Sequence, residues 1–546
     1  MRHFIISFVT ALALFNITVS AEENISADEA VILPPPLEVY GELPSMRFMT
    51  LSKSGRYIAW VHSDPQIQQL RVIDLVEGKL AGGFALDDFF PIGLTFTNDK
   101  HVILSGSKVV DQKSVFRDEW DFDAALSLNL ETGKIVQLLR GTSGLVPQSG
   151  MSRILGPGPT TDEVMMAAWK AGRSKMGSNM RARADADQAT KDLFRVNLNT
   201  GKGKTSERGY IDTRSWETDA KGKAYAYIRY SNDRNDFSFY ARKGKKWEKI
   251  FEDNEAERPR FSVQGMMPDS TDFLITTESS ETNGLGIFSM GRDGQYKGPH
   301  YLKEGKEISD LIFTRNRDLL GIEYTGYRPE YKMFNAKHQN IINQITKAFP
   351  EAAVSLTSWT DGFEKVVFKI DGPNNPGSYY IFDSAKMEIT FLADPRPSLP
   401  NEKIAKTEIF DYVAADGLAL SGVLTWPLGK EGATNLPTII LPHGGPKSHD
   451  TLGFDWMAQY FASRGYLILQ PNFRGSDGFG MALLEAGYGE WGKKMQTDLS
   501  DGLAKLVSEG HADPERVCIV GASYGGYAAL AGGAFQPEIY KCIVAI

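Results

Sequence analysis

From about Met46 to Asp394, apolar and polar residues alternate in short runs separated by Gly, Asn, Asp and Ser. A period of two sends successive side chains to opposite faces, so this pattern predicts β-strands. Leu51–Val61 has a turn at Ser54-Gly55 and then an apolar strand. Leu94–Ser105 repeats the form around Asn98-Asp99, and Asp162–Trp169 repeats it again. The expectation for this whole region is β structure throughout.

A sharper repeat lies within it. Asp74–Lys79, Asn129–Lys134 and Asn197–Lys202 share the pattern [D/N]-L-x-x-G-K, with starts 55 and 68 residues apart. Each follows an apolar strand and would close a hairpin, with Gly at a positive-φ position. Weaker copies stand at Gly291–Gly294 and Asp383–Lys386. Recurrence at roughly 50 residues per unit predicts a β-propeller of about seven blades over 46–394. A pair of β-sandwiches would explain the alternation but not the recurring hairpin.

The pattern changes after Asp394. Residues 395–400 are a Pro-rich linker, and 401–546 read as strands alternating with helices. Phe410–Trp426 is a hairpin turning at Asp416-Gly417. Thr438–Leu441, Tyr466–Gln470, Val517–Val520 and Cys542–Ile546 are short strands. Asp455–Ser463, Trp491–Glu509 and the segment from Ser523 onward are helices. Such alternation predicts a doubly wound α/β sheet.

The 546 residues carry a net charge of −8, which argues against a nucleic-acid partner. The five Lys and Arg between Lys170 and Arg183 read as a solvated loop. At the N-terminus, Arg2, an apolar run from Phe4 to Phe15 and small residues before Glu22 form an export signal over 1–21. That run is shorter than the ~20 residues needed to span a bilayer, and no later run is long enough. The expectation is an exported protein, periplasmic or extracellular, with no integral membrane segment after processing and an N-terminal segment at 22–45. Whether it forms a homo-oligomer is left open. The two cysteines, Cys518 and Cys542, lie in apolar runs; an oxidising compartment would permit a disulfide, but two cysteines are no framework, and they read as small buried hydrophobes. The eight histidines show no metal-ligand spacing, so no metal or other cofactor is expected.

One segment carries nucleophile chemistry. Gly521-Ala522-Ser523-Tyr524-Gly525 fits G-x-S-x-G between a β-branched strand and a helix. That junction forces the serine into an exposed, strained turn, with free helix N–H groups beside it. A tetrahedral oxyanion needs preorganised donors. The Tyr524 N–H, next after Ser523, would be one. The other would come from a Gly-rich loop after an earlier strand, and His443-Gly444-Gly445-Pro446 follows Thr438–Leu441. Each segment alone has a plainer reading, a solvent-facing serine in a crossover and an ordinary turn. Their joint occurrence in this order favours catalysis.

Residues His443–Pro446, Ser463–Tyr466, Asn472–Ser476, Trp491-Gly492, Asp498-Leu499 and Gly521–Tyr527 resemble the prolyl oligopeptidase family of serine peptidases, in its acylaminoacyl-peptidase-like branch. The resemblance implies a propeller ahead of an α/β-hydrolase domain, and short peptides as substrate. It implies Ser523 as nucleophile, with Tyr524 and the Gly444/Gly445 loop as oxyanion hole. It implies structural roles for Arg474 and Asp498, and an N-terminal segment packed on the hydrolase domain. The dipeptidyl-peptidase branch has a tyrosine where His443 stands and a pair of glutamates in the propeller. Neither is found here, so dipeptide release is not expected.

An α/β-hydrolase triad runs Ser, then Asp or Glu, then His. No histidine follows Ser523; His511 precedes it, and Glu538 is the one later carboxylate. The sequence also stops inside an apolar strand, an ending that would leave an unpaired sheet edge. The expectation is a chain truncated by on the order of 100 residues that hold the triad Asp and His. As it stands, the fragment would be inactive. An esterase on the same fold and a non-catalytic propeller binding protein are the alternatives.

Overall fold

The computed structural model describes residues 34–111, 119–145, 151–173, 184–268, 270–282, 284–303 and 306–546. The expected export segment at 1–21 and the basic stretch beyond Arg173 lie outside the described residues. Seven antiparallel sheets follow one another at 46–85, 89–137, 154–207, 213–253, 262–300, 308–333 and 353–393, and form a seven-bladed β-propeller. The strands of each blade pair in chain order, four to a blade except in blade six, which has three.

The repeated hairpin signature joins the third and fourth strands of blades one to three. In each copy the first side chain caps the turn: Asp74 Oδ1 accepts the Val76 and Glu77 N–H groups, Asn129 Oδ1 those of Glu131 and Thr132, and Asn197 Oδ1 those of Asn199 and Thr200. Gly78, Gly133 and Gly201 take φ of 65°, 68° and 71°, where a Cβ is disfavoured. Asp383 makes the same cap in blade seven through the Ala385 N–H.

The propeller region is not β throughout. After the three strands of blade six, a helix spans Ala336–Ala348, capped by the Asn335 side chain on the Lys337 N–H. Ile341, Ile342 and Ile345 make its buried face and pack beside Val354 and Phe368 of blade seven. That i, i+4 spacing within one turn and a half is easily lost among neighbouring period-two runs.

The α/β part has one six-stranded sheet, in the order Thr407–Val413, Ala419–Thr425, Leu467–Asn472, Leu436–Ile440, Ala512–Gly521, Cys542–Ala545. The first two strands are an antiparallel hairpin; the last four run parallel. Strand alternation builds two cores. Ile440, Leu467, Leu469, Val517 and Ile519 face helices Lys494–Ser508 and Tyr524–Phe535, through Leu499, Leu503, Leu506, Ala528 and Ala529. Ile439, Ile468 and Val520 face helix Trp456–Ala462 through Ala458 and Ala462. Each fully buried aliphatic chain contributes about 2 kcal/mol. Helix Trp456–Ala462 begins at Asp455, whose side chain accepts the Ala458 N–H. The long helix starts at Lys494, later than the apolar pattern indicates, because Gly492 at φ 67° turns the chain just before it.

The two cysteines are not a pair of buried hydrophobes. Cys518 and Cys542 stand opposite each other on adjacent parallel strands, with Cα atoms 4.7 Å apart, and are joined in a disulfide. Strand register put them together, and register is not written in the spacing of two residues.

Residues 35–41 pack against the α/β part. Tyr40, in the short helix Leu37–Gly41, is buried with Leu399 and Ile404, and its ring meets Tyr460 edge-on at 5.6 Å. Arg464 donates to the Pro35 carbonyl at 2.8 Å. One rim of the propeller meets the α/β part through blades five and six. Tyr327 donates to Ser421 Oγ at 2.7 Å, Thr325 to the Gly478 carbonyl at 2.9 Å, and the Gly480 N–H to Glu307 at 2.6 Å. Lys447 pairs with Glu278. Among the described residues no helix is long and apolar enough to cross a membrane.

Candidate active site

Three parallel strands end on the same side of the sheet, and the loops after them hold the candidate residues. Leu436–Ile440 leads to 441–450, Leu467–Asn472 to 473–480, and Ala512–Gly521 to Ser523. Ligand sites of open α/β sheets lie outside these carboxyl ends.

Ser523 sits between its strand and helix Tyr524–Phe535 with φ 57° and ψ −119°, a conformation costly for a residue with a Cβ. The junction is tight enough that Gly525 cannot carry a side chain: a Cβ there would stand 2.2 Å from the Pro442 carbonyl oxygen. This close approach draws the loop at 442–445 onto the start of the helix. Gly444 then lies against the serine, and a Cβ on it would be 3.4 Å from Ser523 Cβ and 3.9 Å from Oγ. Ser523 is exposed, and its N–H donates to the Ile546 carbonyl at 3.0 Å.

Tyr524 turns its ring inward, at 5.4 Å from Phe473 and 4.8 Å from Trp491, and burial pushes its phenol pKa up. Its backbone N–H belongs to the first turn of the helix, where no intrahelical acceptor exists. The helix therefore presents the positive end of its dipole beside Ser523.

His443 faces away from proton transfer with Ser523. Its Nδ1 is 2.8 Å from the Gly444 carbonyl, its Nε2 2.9 Å from Ser476 Oγ, and its ring stacks on Phe473 at 4.5 Å. Burial lowers its pKa to about 4, so the ring is neutral near pH 7. It braces the 443–445 loop against the 473–476 loop.

That second loop is fixed in turn from below. Arg474 is buried and donates to Asp498 at 2.7 and 2.8 Å and to Asp416 at 2.9 and 3.1 Å, while its own N–H reaches Asp498 at 3.0 Å. The carboxylates hold the guanidinium charged, and Arg474 and Lys494 hold the Asp416 carboxyl well below the usual range. Arg474 and Asp498 thus pair with each other inside the domain.

The structure brings Ser523, Tyr524, Gly444 and Gly445 together. Among the described residues it does not bring them a hydrogen-bonded base. Among the described residues no hydrogen bond reaches Ser523 Oγ. His511 stands at the opposite end of the strand Ala512–Gly521 from Ser523, and its Nδ1 lies 3.1 Å from the Ala433 carbonyl. Glu538 lies in the turn after helix Tyr524–Phe535. Sequence reasoning did not single out His449 and Asp477, which meet at 2.7 Å on the same rim, with Phe479 edge-on to the imidazole. The available signal was their position in the two loops that follow His443–Pro446 and Asn472–Ser476. The Asp477 carboxyl is held below its ordinary value by His449. Among the described residues no group of three or more His, Cys, Asp or Glu could hold a metal ion.

The model of the prolyl oligopeptidase family matches residues 452–546. Dipeptidyl aminopeptidase BIII of Pseudoxanthomonas mexicana is 27% identical over 414 residues, which are 73% of this chain and 58% of that protein. Dipeptidyl peptidase family member 6 of Caenorhabditis elegans is 29% identical over 295 residues, 50% of this chain and 40% of that protein. The chain therefore spans about half the length of these curated relatives. An acylaminoacyl peptidase of Pyrococcus horikoshii superposes with a TM-score of 0.63 over 93% of this chain and 78% of its own, at 16% identity. A puromycin-hydrolysing peptidase of Mycobacterium tuberculosis gives 0.62 over 94% and 80%, also at 16%. At such identities the superpositions speak to the propeller-plus-hydrolase fold. The match to the prolyl oligopeptidase family thus lies in residues 452–546, and the relatives named are similar to this chain over part of their length.

Proposed function

We propose that this chain is the larger part of a serine peptidase that hydrolyses short peptides by acyl transfer. The observation that carries the reading is Ser523 at φ 57° on a strand–helix junction, with Gly444 packed against it. Ser523 Oγ attacks the scissile carbonyl while a base takes its proton. The Tyr524 N–H and the backbone of Gly444/Gly445 hold the oxyanion as the carbonyl carbon becomes tetrahedral. Collapse expels the amine, which takes the proton from the protonated base, and water then releases the acyl group by the same steps. His443 is not that base, because both its nitrogens are engaged and its ring resists protonation. In this proposal the base is a histidine, oriented by an Asp, from sequence outside these 546 residues. The fragment alone is then inactive, since a serine without a base keeps its proton.

Export to an oxidising compartment is part of the proposal. The apolar segment at the N-terminus supports it, and so does the disulfide of Cys518 and Cys542.

The test is hydrolysis by the longer protein of N-acylated short peptides, of dipeptides with a free amino end, and of p-nitrophenyl esters. Turnover of either peptide class that disappears in Ser523→Ala is the expected result. Turnover of esters alone would replace the reading by an esterase. Activity unchanged by Ser523→Ala would end it in favour of a binding propeller.

A further inference from the structure

One turn of blade six reaches all six other blades. The strand Ile308–Phe313 starts at the hydrolase rim, where Glu307 receives the Gly480 N–H. It runs six residues from there, about 20 Å, so the turn that follows lies on the propeller face away from the hydrolase. Arg315 and Arg317 stand in this turn. Arg315 donates to the Leu51 carbonyl at 2.6 Å, the Trp359 carbonyl at 2.9 Å, Asp361 at 3.2 Å and the Phe96 carbonyl at 3.3 Å. Arg317 donates to the Gln264 carbonyl at 2.9 Å and the Leu155 carbonyl at 3.5 Å, and lies 3.8 Å from the Glu217 carboxylate.

Leu51, Phe96, Leu155, Glu217, Gln264 and Trp359 belong to the first strands of blades one, two, three, four, five and seven. First strands adjoin between blades seven and one, one and two, three and four, and four and five. The two arginines therefore gather the inner strands at the axis, where a propeller has its channel. Their side chains are 19% and 27% exposed. Placing guanidinium groups among neutral carbonyls is costly unless their donors are met, and here carbonyls of five blades meet them.

The ring also needs a clasp. Blades one and seven share no strand. Their seam is held by Ser358 Oγ accepting the Leu51 N–H at 2.9 Å, by Lys365 reaching the Gly55 carbonyl at 3.3 Å, and by Arg315, which bonds both sides.

We infer that Arg315 and Arg317 are the clasp of the propeller ring and the stopper of its axial channel on the face away from the hydrolase. On the proposed peptidase reading, they decide that no peptide reaches Ser523 through that face. Arg315 secures blades seven, one and two; Arg317 secures three, four and five.

Two measurements on this 546-residue chain test it without catalysis. In hydrogen exchange, Arg315→Ala should speed the inner-strand amides of blades one and seven by about tenfold or more while blades three to five stay protected. Arg317→Ala should give the opposite footprint. Uniform loss of protection in both variants, or none in either, would overturn the clasp. For the stopper, Glu217→Cys places a thiol beside Arg317 in a chain whose two native cysteines are paired. Maleimide should modify it about tenfold faster when Arg317→Ala is added. Equal rates with and without Arg317 would overturn the stopper. Either result stands whether or not the longer protein proves to be a peptidase.

Discussion

The Pro442 carbonyl oxygen occupies the space a side chain on Gly525 would need, 2.2 Å from the site of its Cβ. Backbone stands on both sides of that contact, so neither partner yields by a rotamer change. Gly525→Ala should therefore push the 442–445 loop off helix Tyr524–Phe535, at a cost on the order of 3 kcal/mol. Denaturant melting of the variant checks this. A change of less than about 0.5 kcal/mol would show that the junction is looser than the structure has it.

Asp498 is fully buried and takes three hydrogen bonds from Arg474. Asp498→Ala should destabilise the α/β part by roughly 3 kcal/mol, because it leaves the buried Arg474 guanidinium with Asp416 as its one carboxylate partner. Asp498→Asn keeps a carbonyl acceptor and should cost less. Parallel melts of the two variants decide it, and equal losses would mean that the charge pairing is immaterial.

His443 gives a pH signature of known sign. Its pKa is lowered to about 4 from an ordinary 6.5 by burial. The unfolded chain thus binds a proton more readily than the fold does. Stability from this group is complete above pH 6.5 and is lost as pH falls toward 4, by as much as about 3 kcal/mol. Replacing it by Gln, an amide that can still bond to Ser476, should flatten that slope. Imidazole NMR resonances should show no His443 titration between pH 5 and 8.

The sequence made the propeller legible because its turns are local. Asp74, Asn129 and Asn197 cap their own hairpins, and the glycine four residues on supplies the positive φ, so repeat and mechanism lie within six residues. The strand–helix alternation around Ser523 was legible for the same reason. What stayed hidden depends on long-range register. Cys518 meets Cys542 only because two parallel strands align in that register. His449 meets Asp477 only because two strand-end loops converge. Arg315 and Arg317 look like ordinary turn residues until seven blades close around them. The helix Ala336–Ala348 was missed because one short apolar face is outnumbered by β runs on either side.

The central claim is that Ser523 is a nucleophile whose base lies outside these 546 residues. The most direct measurement is the intact mass of this chain after exposure to a fluorophosphonate, with the modified residue mapped. The account predicts no modification of Ser523 above the rate of ordinary surface serines. Stoichiometric labelling of Ser523 at the rates of a working serine hydrolase would contradict it.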